Sequence, residues 1–381
     1  MRIAISGMFW TEPHVGSGQY LHNLIEQFSA QPHGHRFILV IPRYRLSQKP
    51  SLPHIQTVLM PTPFDGRNEN LAKVWFEQIA IGQVCRKLRV DLVHVPYFGS
   101  PRFPRVPTVV TVHDLIPVLV PGNRGGRAVQ LYMRLAASSA RRASTIIADS
   151  RHTKQDVVDH LRIAADRVVV THLAAAPTLQ PQPAETIAEV ARRFRLNDPY
   201  VLYIGGFQAH KNVATAIRAF ARTRRMLDHR VVLAIAGRLP TSQSALFPDI
   251  HRVILEEKIA ADVALLGPVS DAEKAALMSG CQAFLFPSRY EGFGLPPLEA
   301  MQCGAPVLAS ATTSVGEVVG DGGVPLSPED VDGWASALAR VLRDADWRAE
   351  LAERGLRRAG QFNWQTTAEQ TLAIYERHAR R

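Results

Sequence analysis

The segment SRYEGFGLPPLEAM, residues 288–301, carries two glutamates, Glu291 and Glu299, on either side of a Gly-Phe-Gly turn and a pair of prolines. An apolar run that precedes the segment predicts the end of a buried strand. Pro296 predicts the first turn of a helix, which Gly304 is expected to terminate. The segment therefore connects the carboxyl end of a strand to the amino end of a helix, which is where open α/β sheets bind anions.

Short apolar runs extend in both directions from this motif, and segments with helical periodicity, for example 18–29 and 70–88, separate them. Buried parallel strands joined by crossover helices produce this pattern. The runs in the first half are RIAIS, RFILVI, DLVHV, PTVVTV and STIIAD, and the pattern restarts after residue 198 with PYVLYIGG, RVVLAIAG, DVALLGPV, QAFLFPS and APVLAS. The predicted fold class is therefore α/β, with two doubly wound, Rossmann-like domains whose strand carboxyl ends face each other across a cleft.

The predicted domain boundaries follow from this restart. Residues 1–172 form the N-terminal domain and residues 199–362 the C-terminal domain. The proline-containing segment 173–198 has little strand character and is predicted to be the linker. The last segment, 363–381, is an amphipathic helix that is expected to pack back on the N-terminal domain.

The composition is typical of a globular protein, because 46% of the 381 residues are hydrophobic and 20% are charged. No apolar run approaches the roughly 18 residues that a membrane span needs. The N-terminal MRIAISGMF is typical of a buried first strand and not of a secretion signal. Cys85, Cys281 and Cys303 lack the spacing of a metal site and indicate inert thiols in a reducing compartment. The expected location is therefore the cytoplasm.

The net charge of +10 is concentrated in the N-terminal half. Residues 1–172 contain 21 Lys and Arg against 11 Asp and Glu, whereas residues 173–381 contain 23 of each. A one-sided positive field favours an anionic partner: nucleic acid, a membrane surface or a phosphorylated substrate. Arg127, Arg134 and Arg141 recur every seven residues on one predicted helix and form a basic stripe suited to an anionic membrane surface or a lipid-diphosphate-linked glycan. The alternative is a solvated helix face.

The two glutamates indicate a ligand rich in hydroxyl groups, because one carboxylate can accept hydrogen bonds from two adjacent O–H groups. Glu299, in the first turn of the predicted helix, is assigned to the ribose diol of a nucleotide. Glu291, in the loop, is assigned to the hydroxyls of a reacting sugar and to the positive charge that develops at its anomeric carbon. The alternatives are a first-turn acid that only complements the helix dipole, for Glu299, and a solvated loop charge, for Glu291.

Four segments carry a resemblance to a known family. EGFGLPPLEAMQCGAPVLAS (291–310) resembles the signature of family 4 glycosyltransferases, two glutamates separated by seven residues, and that family has the GT-B fold. GSGQY (16–20), VVTVHDLIP (109–117) and VLYIGGFQAHKNV (201–213) are similar to the family's glycine loop, histidine segment and phosphate-binding turn. The resemblance implies a retaining glycosyltransferase with a nucleotide-diphosphate sugar as donor, an N-terminal acceptor domain and a C-terminal donor domain.

The resemblance implies a role for each matching residue. Lys211 contacts the donor diphosphate and stabilises the charge of the leaving group. His113 approaches the transferred sugar, which it positions rather than exchanging a proton with it. Together with Glu291, these two residues form the predicted catalytic set. The predicted donor-binding residues are Gly16, Ser17, Gly18, Gly206, Gln208, Arg238, Gly292, Phe293, Gly294, Leu295 and Glu299.

One position departs from the family pattern. The cation that usually follows the first glycine of the phosphate-binding turn is replaced by Gly206. The fold assignment does not depend on this contact, but the second residue that binds phosphate is left open. The candidates are Gln208, His210, Arg238 and Arg289, and the sequence ranks none of them.

No metal or cofactor is expected. DVD (330–332) and DAD (344–346) resemble an Asp-x-Asp metal clamp, but both lie at predicted helix ends, and the sequence shows no other cluster of oxygen ligands. A resemblance to bacterial surface-polysaccharide mannosyltransferases favours GDP-mannose as donor and a glycan or lipid-linked glycan as acceptor. The alternative functions are a GT-B epimerase or phosphorylase and a non-enzymatic nucleic-acid-binding protein. The sequence lacks a nucleic-acid-binding motif, so no nucleic-acid partner is predicted.

Overall fold

The computed structural model describes residues 1–30, 34–46, 48–120 and 122–379. The chain divides into two compact units. The first comprises Met1–Leu119, Arg124–Leu173 and the chain from Asn363 onward, and the second comprises Ala174–Phe362 with the short piece Val120–Asn123.

The first unit is built on a parallel sheet of seven strands. These are β1 Arg2–Ser6, β2 Arg36–Pro42, β3 Ile55–Met60, β4 Leu92–Val95, β5 Thr108–Val112, β6 Thr145–Ala148 and β7 Val168–Val170. Their order in the sheet is β3-β2-β1-β4-β5-β6-β7. The central strands are buried along almost their whole length because helices cover both faces, and Ile3, Leu92, Val110 and Ile146 are completely buried.

Six helices of the first unit lie in the connections between these strands. They are α1 Gly16–Ala30, α2 Glu69–Trp75, α3 Ile81–Lys87, α4 Ile116–Leu119, α5 Arg127–Ala140 and α6 Arg151–Leu161. Between α2 and α3 the chain forms a π-helical turn, Phe76–Ala80. The periodic segment 70–88 is therefore not one regular α-helix, because the wider turn in its middle shifts the residues that face the core.

The second unit is built on a parallel sheet of six strands. These are β8 Tyr200–Ile204, β9 Val232–Ala236, β10 Val263–Gly267, β11 Ala283–Phe286, β12 Val307–Ser310 and β13 Val324–Leu326. Their order in the sheet is β10-β9-β8-β11-β12-β13. The helices are α7 Ala184–Arg193, α8 Val213–Arg224, α9 Ile250–Glu256, α10 Asp271–Gly280, α11 Leu295–Gln302, α12 Thr313–Val319, α13 Val331–Arg343 and α14 Ala345–Ala359.

Part of the segment predicted as a linker, 173–198, is helical and packs within the second unit. The backbone N–H of Gln182 donates to Oγ of Ser279, 3.1 Å away. A Cβ atom added to Gly280, at the end of α10, would lie 2.5 Å from Cγ2 of Ile187 in α7. The two helices therefore touch at a glycine, and the structure differs from an extended linker because α7 has an apolar side to bury.

The final helix, α15 Trp364–Ala379, belongs to the first unit. Oγ1 of Thr367 donates to the carbonyl of His172 at 2.7 Å, and the hydroxyl of Tyr375 is 2.6 Å from Nδ1 of His94. Tyr375 is completely buried, so α15 contributes to the core of the first unit. The last two residues of the predicted helix 363–381 lie outside the described residues.

Both sheets reverse their strand order once, between β1 and β4 in the first unit and between β8 and β11 in the second. At such a switch point the loops that follow the two strands diverge to opposite faces of the sheet and leave a crevice at the carboxyl edge, where open α/β sheets bind ligands. The prediction of an α/β fold with two doubly wound, Rossmann-like domains is confirmed.

Candidate active site

Lys211 and Glu291 lie on the two loops that flank the switch point of the second sheet. Lys211 ends a short 3₁₀ turn that follows β8, and Glu291 lies in the loop between β11 and α11. Nζ of Lys211 donates to both carboxylate oxygens of Glu291, at 2.7 and 2.9 Å. The two side chains are only 19% and 10% exposed, so the charges attract each other more strongly than they would in water. The sequence analysis placed both residues in one site without predicting this contact.

Hydrogen bonds to the backbone fix both loops. Asn212 adopts a left-handed conformation, and its side-chain amide donates to the carbonyls of Pro287 and Pro328, at 3.2 and 2.7 Å. The carbonyl of Glu291 accepts a hydrogen bond from Oγ of Ser314 at 2.8 Å. The ion pair is therefore held by a buried polar network, which limits the movement of either charge.

The glycine turn after β8 is held tightly by its neighbours. The hydroxyl of Tyr203 donates to the carbonyl of Gly206 at 2.7 Å. Gly237, at the end of β9, has φ +144°, and a Cβ atom there would lie 2.2 Å from the carbonyl oxygen of Gly205. These two strand ends can therefore approach only because residue 237 has no side chain.

Gln208 folds over the position where the family pattern has a cation. A Cβ atom on Gly206 would lie 2.3 Å from Oε1 of Gln208. Oε1 is buried, and no residue in the described part of the chain donates a hydrogen bond to it. The amide of Gln208 therefore occupies the space into which a side chain at position 206 would project.

Arg289, His210 and Arg238 are not equally available for the second phosphate contact. The guanidinium of Arg289 donates to Glu329 at 3.1 Å and to the carbonyl of Ala209 at 3.0 Å, so it is already engaged. Burial and the adjacent Lys211 lower the pKa of His210 to about 4, so its imidazole is neutral at pH 7. Arg238 is exposed just beyond β9. Of these three residues, Arg238 is therefore the best placed to meet an anion.

Glu299 lies just beyond the first turn of α11, one residue further into the helix than the sequence predicted, because the helix starts at Leu295 and not at Pro296. It is 6% exposed. Nζ of Lys274, on α10, donates to its Oε1 at 3.1 Å. Burial raises the pKa of Glu299, although Lys274 acts in the opposite direction. The interpretation as a first-turn acid that only complements the dipole is therefore wrong.

The Gly-Phe-Gly turn before α11 can contact a ligand through its backbone and not through its side chains. Gly294 precedes the helix with φ +108°, a conformation that glycine adopts without strain. The ring of Phe293 is 4% exposed and packs edge-on against Phe362, with ring centres 5.9 Å apart. Gly292 is buried and Leu295 is half-buried. The backbone N–H groups from Gly292 to Leu295 are therefore the groups suited to an anion, because the next two residues of α11 are prolines and have no N–H.

His113 lies in the first unit, directly after β5. Its Nδ1 is 2.6 Å from Oδ2 of Asp149, and its Nε2 is 3.1 Å from the carbonyl of Pro96. Burial alone lowers the pKa of His113, but the Asp149 carboxylate more than offsets this, so the pKa lies above its ordinary value. Both ring nitrogens have an oxygen acceptor within hydrogen-bond distance, which favours positioning over proton abstraction.

The sequence analysis missed Asp149. It found no partner for His113 because it considered only neighbouring positions. Asp149 follows β6, the neighbour of β5 in the sheet, so both residues emerge at the same carboxyl edge. The acid at the end of the apolar run STIIAD was therefore the signal in the sequence from which a partner for His113 could have been predicted.

Replacing Asp149 with Asn is expected to lower the pKa of His113, because burial is then opposed only by the weaker effects of Asp114 and the Pro96 carbonyl. The stability that the imidazolium contributes is fully present below the unfolded-state pKa of about 6.5 and is lost as the pH rises through the raised folded-state value. The difference in unfolding free energy between wild type and Asp149→Asn should therefore be larger at pH 5.5 than at pH 9. NMR titration of the His113 ring and urea unfolding measure both effects. The exposed Asp159→Asn variant is the control, and an unchanged titration of His113 in Asp149→Asn would contradict the assignment.

The glycine loop opens α1. Gly16 is exposed, Ser17 is half-buried and Gly18 is buried. A Cβ atom on Gly18 would lie 1.9 Å from the carbonyl oxygen of Glu12. The loop before α1 therefore requires glycine at position 18 for its own packing, independently of any ligand.

The predicted basic stripe is partly used within the first unit. Arg127 and Arg134 are exposed on α5. Arg141 lies just beyond the helix, and its Nε donates to the carbonyl of Leu161 at 2.7 Å. Arg134 and Arg141 line a groove of about 250 Å³ together with Arg124. The arginines of the stripe thus share one basic surface, but the guanidinium of Arg141 is less available to a ligand because it is hydrogen-bonded to the backbone.

The Asp-x-Asp segments cap helices. Asp330 accepts a hydrogen bond from the N–H of Gly333 at 2.9 Å, and Asp344 accepts one from Trp347 at 2.9 Å. Within residues 1–30, 34–46, 48–120 and 122–379, no group of three or more His, Cys, Asp or Glu side chains has a metal-binding arrangement. Over the same ranges, no helix combines the length and apolarity required to cross a bilayer.

Comparisons with known proteins identify the family of the chain. The family "Glycosyl transferases group 1" matches residues 186–358, and "Glycosyltransferase Family 4" matches residues 15–175. O-antigen chain mannosyltransferase B of Escherichia coli is 32% identical over 287 residues, which cover 75% of this chain and 74% of that protein. The serotype-specific mannosyltransferase WbdA of Escherichia coli is 31% identical over 71% of this chain, which spans only 33% of that longer protein.

The fold also matches a solved structure that contains a nucleotide sugar. Anabaena HepE in complex with UDP-glucose has a TM-score of 0.73 and 20% identity, covering 99% of both chains. At this identity the likeness establishes the fold alone, and it confirms the GT-B class that the sequence predicted. On the sequence matches, which span both units, the chain belongs to the group 1, family 4 glycosyltransferases and is a glycosyltransferase.

Proposed function

We propose that this glycosyltransferase moves a hexosyl group, preferentially mannose, from a nucleotide-diphosphate sugar to a glycan or lipid-linked glycan, with retention of the anomeric configuration. The observation that carries the proposal is the Lys211–Glu291 pair at the switch point of the second sheet, 2.7 Å apart. Two opposite charges at one ligand crevice match a reaction in which a sugar gains positive charge while its diphosphate gains negative charge. The mannosyltransferase relatives support the choice of sugar.

Lys211 stabilises the departing diphosphate. Its ammonium has three N–H groups, and two of them are directed to the carboxylate oxygens of Glu291. The third can donate to a phosphate oxygen without breaking the ion pair. The N–H groups of Gly292–Leu295 and the side chains of Gln208 and Arg238 provide further contacts to phosphate, and Glu299 accepts hydrogen bonds from the ribose diol.

Glu291 stabilises the positive charge at the anomeric carbon as the bond to the diphosphate breaks. The acceptor hydroxyl forms the new bond on the face from which the diphosphate leaves, and the departing phosphate oxygen takes its proton. His113, whose Nδ1 is held by Asp149, positions the transferred sugar by exchanging the contact of its Nε2 with the carbonyl of Pro96 for one with a sugar hydroxyl. Because Lys211 supplies the fixed positive charge, we propose that transfer needs no metal ion, and treatment with EDTA should leave the rate unchanged.

The proposal is tested by incubating the protein with GDP-mannose, UDP-glucose and UDP-galactose and measuring nucleoside diphosphate release. We expect release with GDP-mannose to be the fastest, and NMR of the product to show the donor's anomeric configuration. A β-linked product from an α-linked donor would contradict retention. Faster release from a UDP-sugar would contradict the choice of donor, and an isomerised sugar with no release would indicate an epimerase.

We also propose a cytoplasmic location with peripheral association to the inner face of the membrane through the basic surface of Arg127, Arg134 and Arg141. Their guanidinium groups suit anionic headgroups, and such attraction weakens as salt screens it. Flotation with vesicles of anionic lipid should recover the protein at low salt and not at high salt. Equal recovery with neutral vesicles, or none with anionic ones, would contradict this.

A further inference from the structure

The switch point of the first sheet carries an aromatic cluster that the reaction described above does not use. Phe9 follows β1 and Tyr97 follows β4, the two strands on either side of the reversal. Their rings meet edge-on with centres 5.1 Å apart, and the Tyr97 hydroxyl lies 3.2 Å from Oγ of Ser6. The crevice that corresponds by topology to the Lys211–Glu291 site is therefore lined by aromatic side chains in the first unit.

Lys73, in α2, places an ammonium group over this cluster. Its Nζ lies 4.6 Å from the ring centre of Tyr132 and 5.7 Å from that of Phe9. No carboxylate in the described part of the chain lies within ion-pair distance of it. The side chains of Lys73, Phe9 and Tyr132 are all half-buried, so the group is open to a ligand. A lysine held by two rings and without a direct ion pair retains N–H groups for another acceptor.

Glu77 anchors the cluster from inside. It lies in the π-helical turn that separates α2 from α3 and is completely buried. The hydroxyl of Tyr132 donates to both of its carboxylate oxygens, at 3.0 and 3.2 Å. A Cβ atom on Gly99 would lie 2.7 Å from the Tyr132 hydroxyl and 2.8 Å from Oε1 of Glu77. Three chain segments thus enclose this carboxyl group, and π-helical turns are frequent at functional sites.

The charges in the cluster favour a neutral ligand rich in hydroxyl groups. Burial raises the pKa of Glu77 to about 7, and Lys73 opposes this shift, so the ammonium faces a carboxyl group that is partly ionised near neutral pH. The ionised fraction of Glu77 would offset part of the attraction between Lys73 and a phosphate, so a neutral ligand loses less by comparison. A sugar ring can instead stack its C–H face on an aromatic ring and accept hydrogen bonds from the ammonium through its oxygens.

We propose that Lys73, Phe9 and Tyr132 form the subsite that binds the terminal sugar of the glycan acceptor, with Glu77 and Gly99 fixing the position of the Tyr132 ring. This inference depends on the proposed function, because only a glycosyltransferase with a glycan acceptor needs such a subsite. Tyr132 and Lys73 recognise the ring of the acceptor sugar, whereas the donor nucleotide binds to the second unit.

The test measures the binding of two neutral probes, methyl α-mannoside and α-1,3-mannobiose, by saturation-transfer NMR in the presence of GDP. In Lys73→Met we expect binding of the disaccharide about tenfold weaker, which is the size expected for a lost hydrogen bond to a charged group. Lys73→Arg keeps the charge and the ring contact and should recover part of the affinity. Tyr132→Phe keeps the ring but frees it from Glu77 and should weaken binding about threefold. Lys154→Met, a half-buried lysine on α6 of the same unit, is the matched control with unchanged sugar binding.

The dissociation constant of GDP, measured by calorimetry, separates this inference from the proposed function. The subsite is supported if wild-type protein binds both GDP and the disaccharide, and if Lys73→Met weakens the binding of the disaccharide but not that of GDP. Sugar affinity that is equal in wild type and Lys73→Met, or no binding of either probe to wild type, would overturn it. A wild-type protein that binds no nucleoside diphosphate and hydrolyses no nucleotide sugar would instead overturn the proposed function.

Discussion

Replacing Lys211 with alanine is expected to lower kcat for sugar transfer by about 100- to 1,000-fold, the effect of removing one group that stabilises charge developing in a transition state. The Michaelis constant for the donor should change much less, because the contact gains its strength as the diphosphate departs. Initial rates of nucleoside diphosphate release with GDP-mannose measure both quantities.

Loss of folding must be separated from loss of chemistry in this experiment. Lys211→Ala leaves the Glu291 carboxylate, 10% exposed, without its partner, and breaking such a pair costs about 3 kcal/mol of stability. The double variant Lys211→Ala/Glu291→Gln removes the uncompensated charge and should recover most of the stability but none of the activity. Arg222→Ala breaks an exposed ion pair with Asp332 in the same unit and is the control, with near-normal activity. Wild-type turnover in Lys211→Ala would rule out the role of the ammonium.

Replacing Glu299 with alanine is expected to weaken nucleotide binding by at least tenfold and to destabilise the second unit by about 3 kcal/mol. The binding loss follows from the removal of the carboxylate that we assign to the ribose diol. The stability loss follows because the partner, Lys274, is itself only 12% exposed and would lose its buried carboxylate at 3.1 Å, keeping only the exposed Asp271 at 3.3 Å. Calorimetric titration with GDP and urea unfolding measure the two effects independently.

The double variant Glu299→Ala/Lys274→Met distinguishes a ligand contact from a structural pair. It removes both charges, so stability should return toward the wild-type value, while nucleotide affinity should stay low. Recovery of nucleotide binding together with stability would show that Glu299 acts only through the fold, and the ribose assignment would then be wrong.

The sequence predicted the elements that place Lys211 and Glu291, because strand ends, glycines and a helix start are local patterns. It did not predict the partners of the charged groups. Lys211 and Glu291 are 80 residues apart, and they meet because β8 and β11 are neighbours in the sheet. His113 meets Asp149 for the same reason, through β5 and β6. Strand order is a property of the whole sheet, so pairs that depend on it are not visible in any short window of sequence.

Two further features of the structure could not be predicted from local sequence patterns. The segment 70–88 has the periodicity of a helix, and its π-helical turn is stabilised by groups outside the segment, above all Tyr132. Glu77 is therefore turned inward where a helical pattern alone would leave an acid in solvent. The segment 173–198 was predicted to be a linker because of its prolines. The apolar side of α7 in this segment can be recognised only from the fold, in which α7 packs against Gly280 of α10.

The return of α15 to the first unit determines the order in which the nascent chain can be completed. The ring of Tyr375 lies in the interior next to Phe28, and its hydroxyl reaches His94, so residues synthesised last fill a space left by residues synthesised first. The sheet of the first unit leaves the ribosome before α15 and must therefore wait, with part of its interior open, until α15 has also emerged. Deleting α15 alone would thus open the interior of a unit whose sheet lies almost 200 residues earlier in the sequence, and a fragment ending near residue 173 would be an incomplete body.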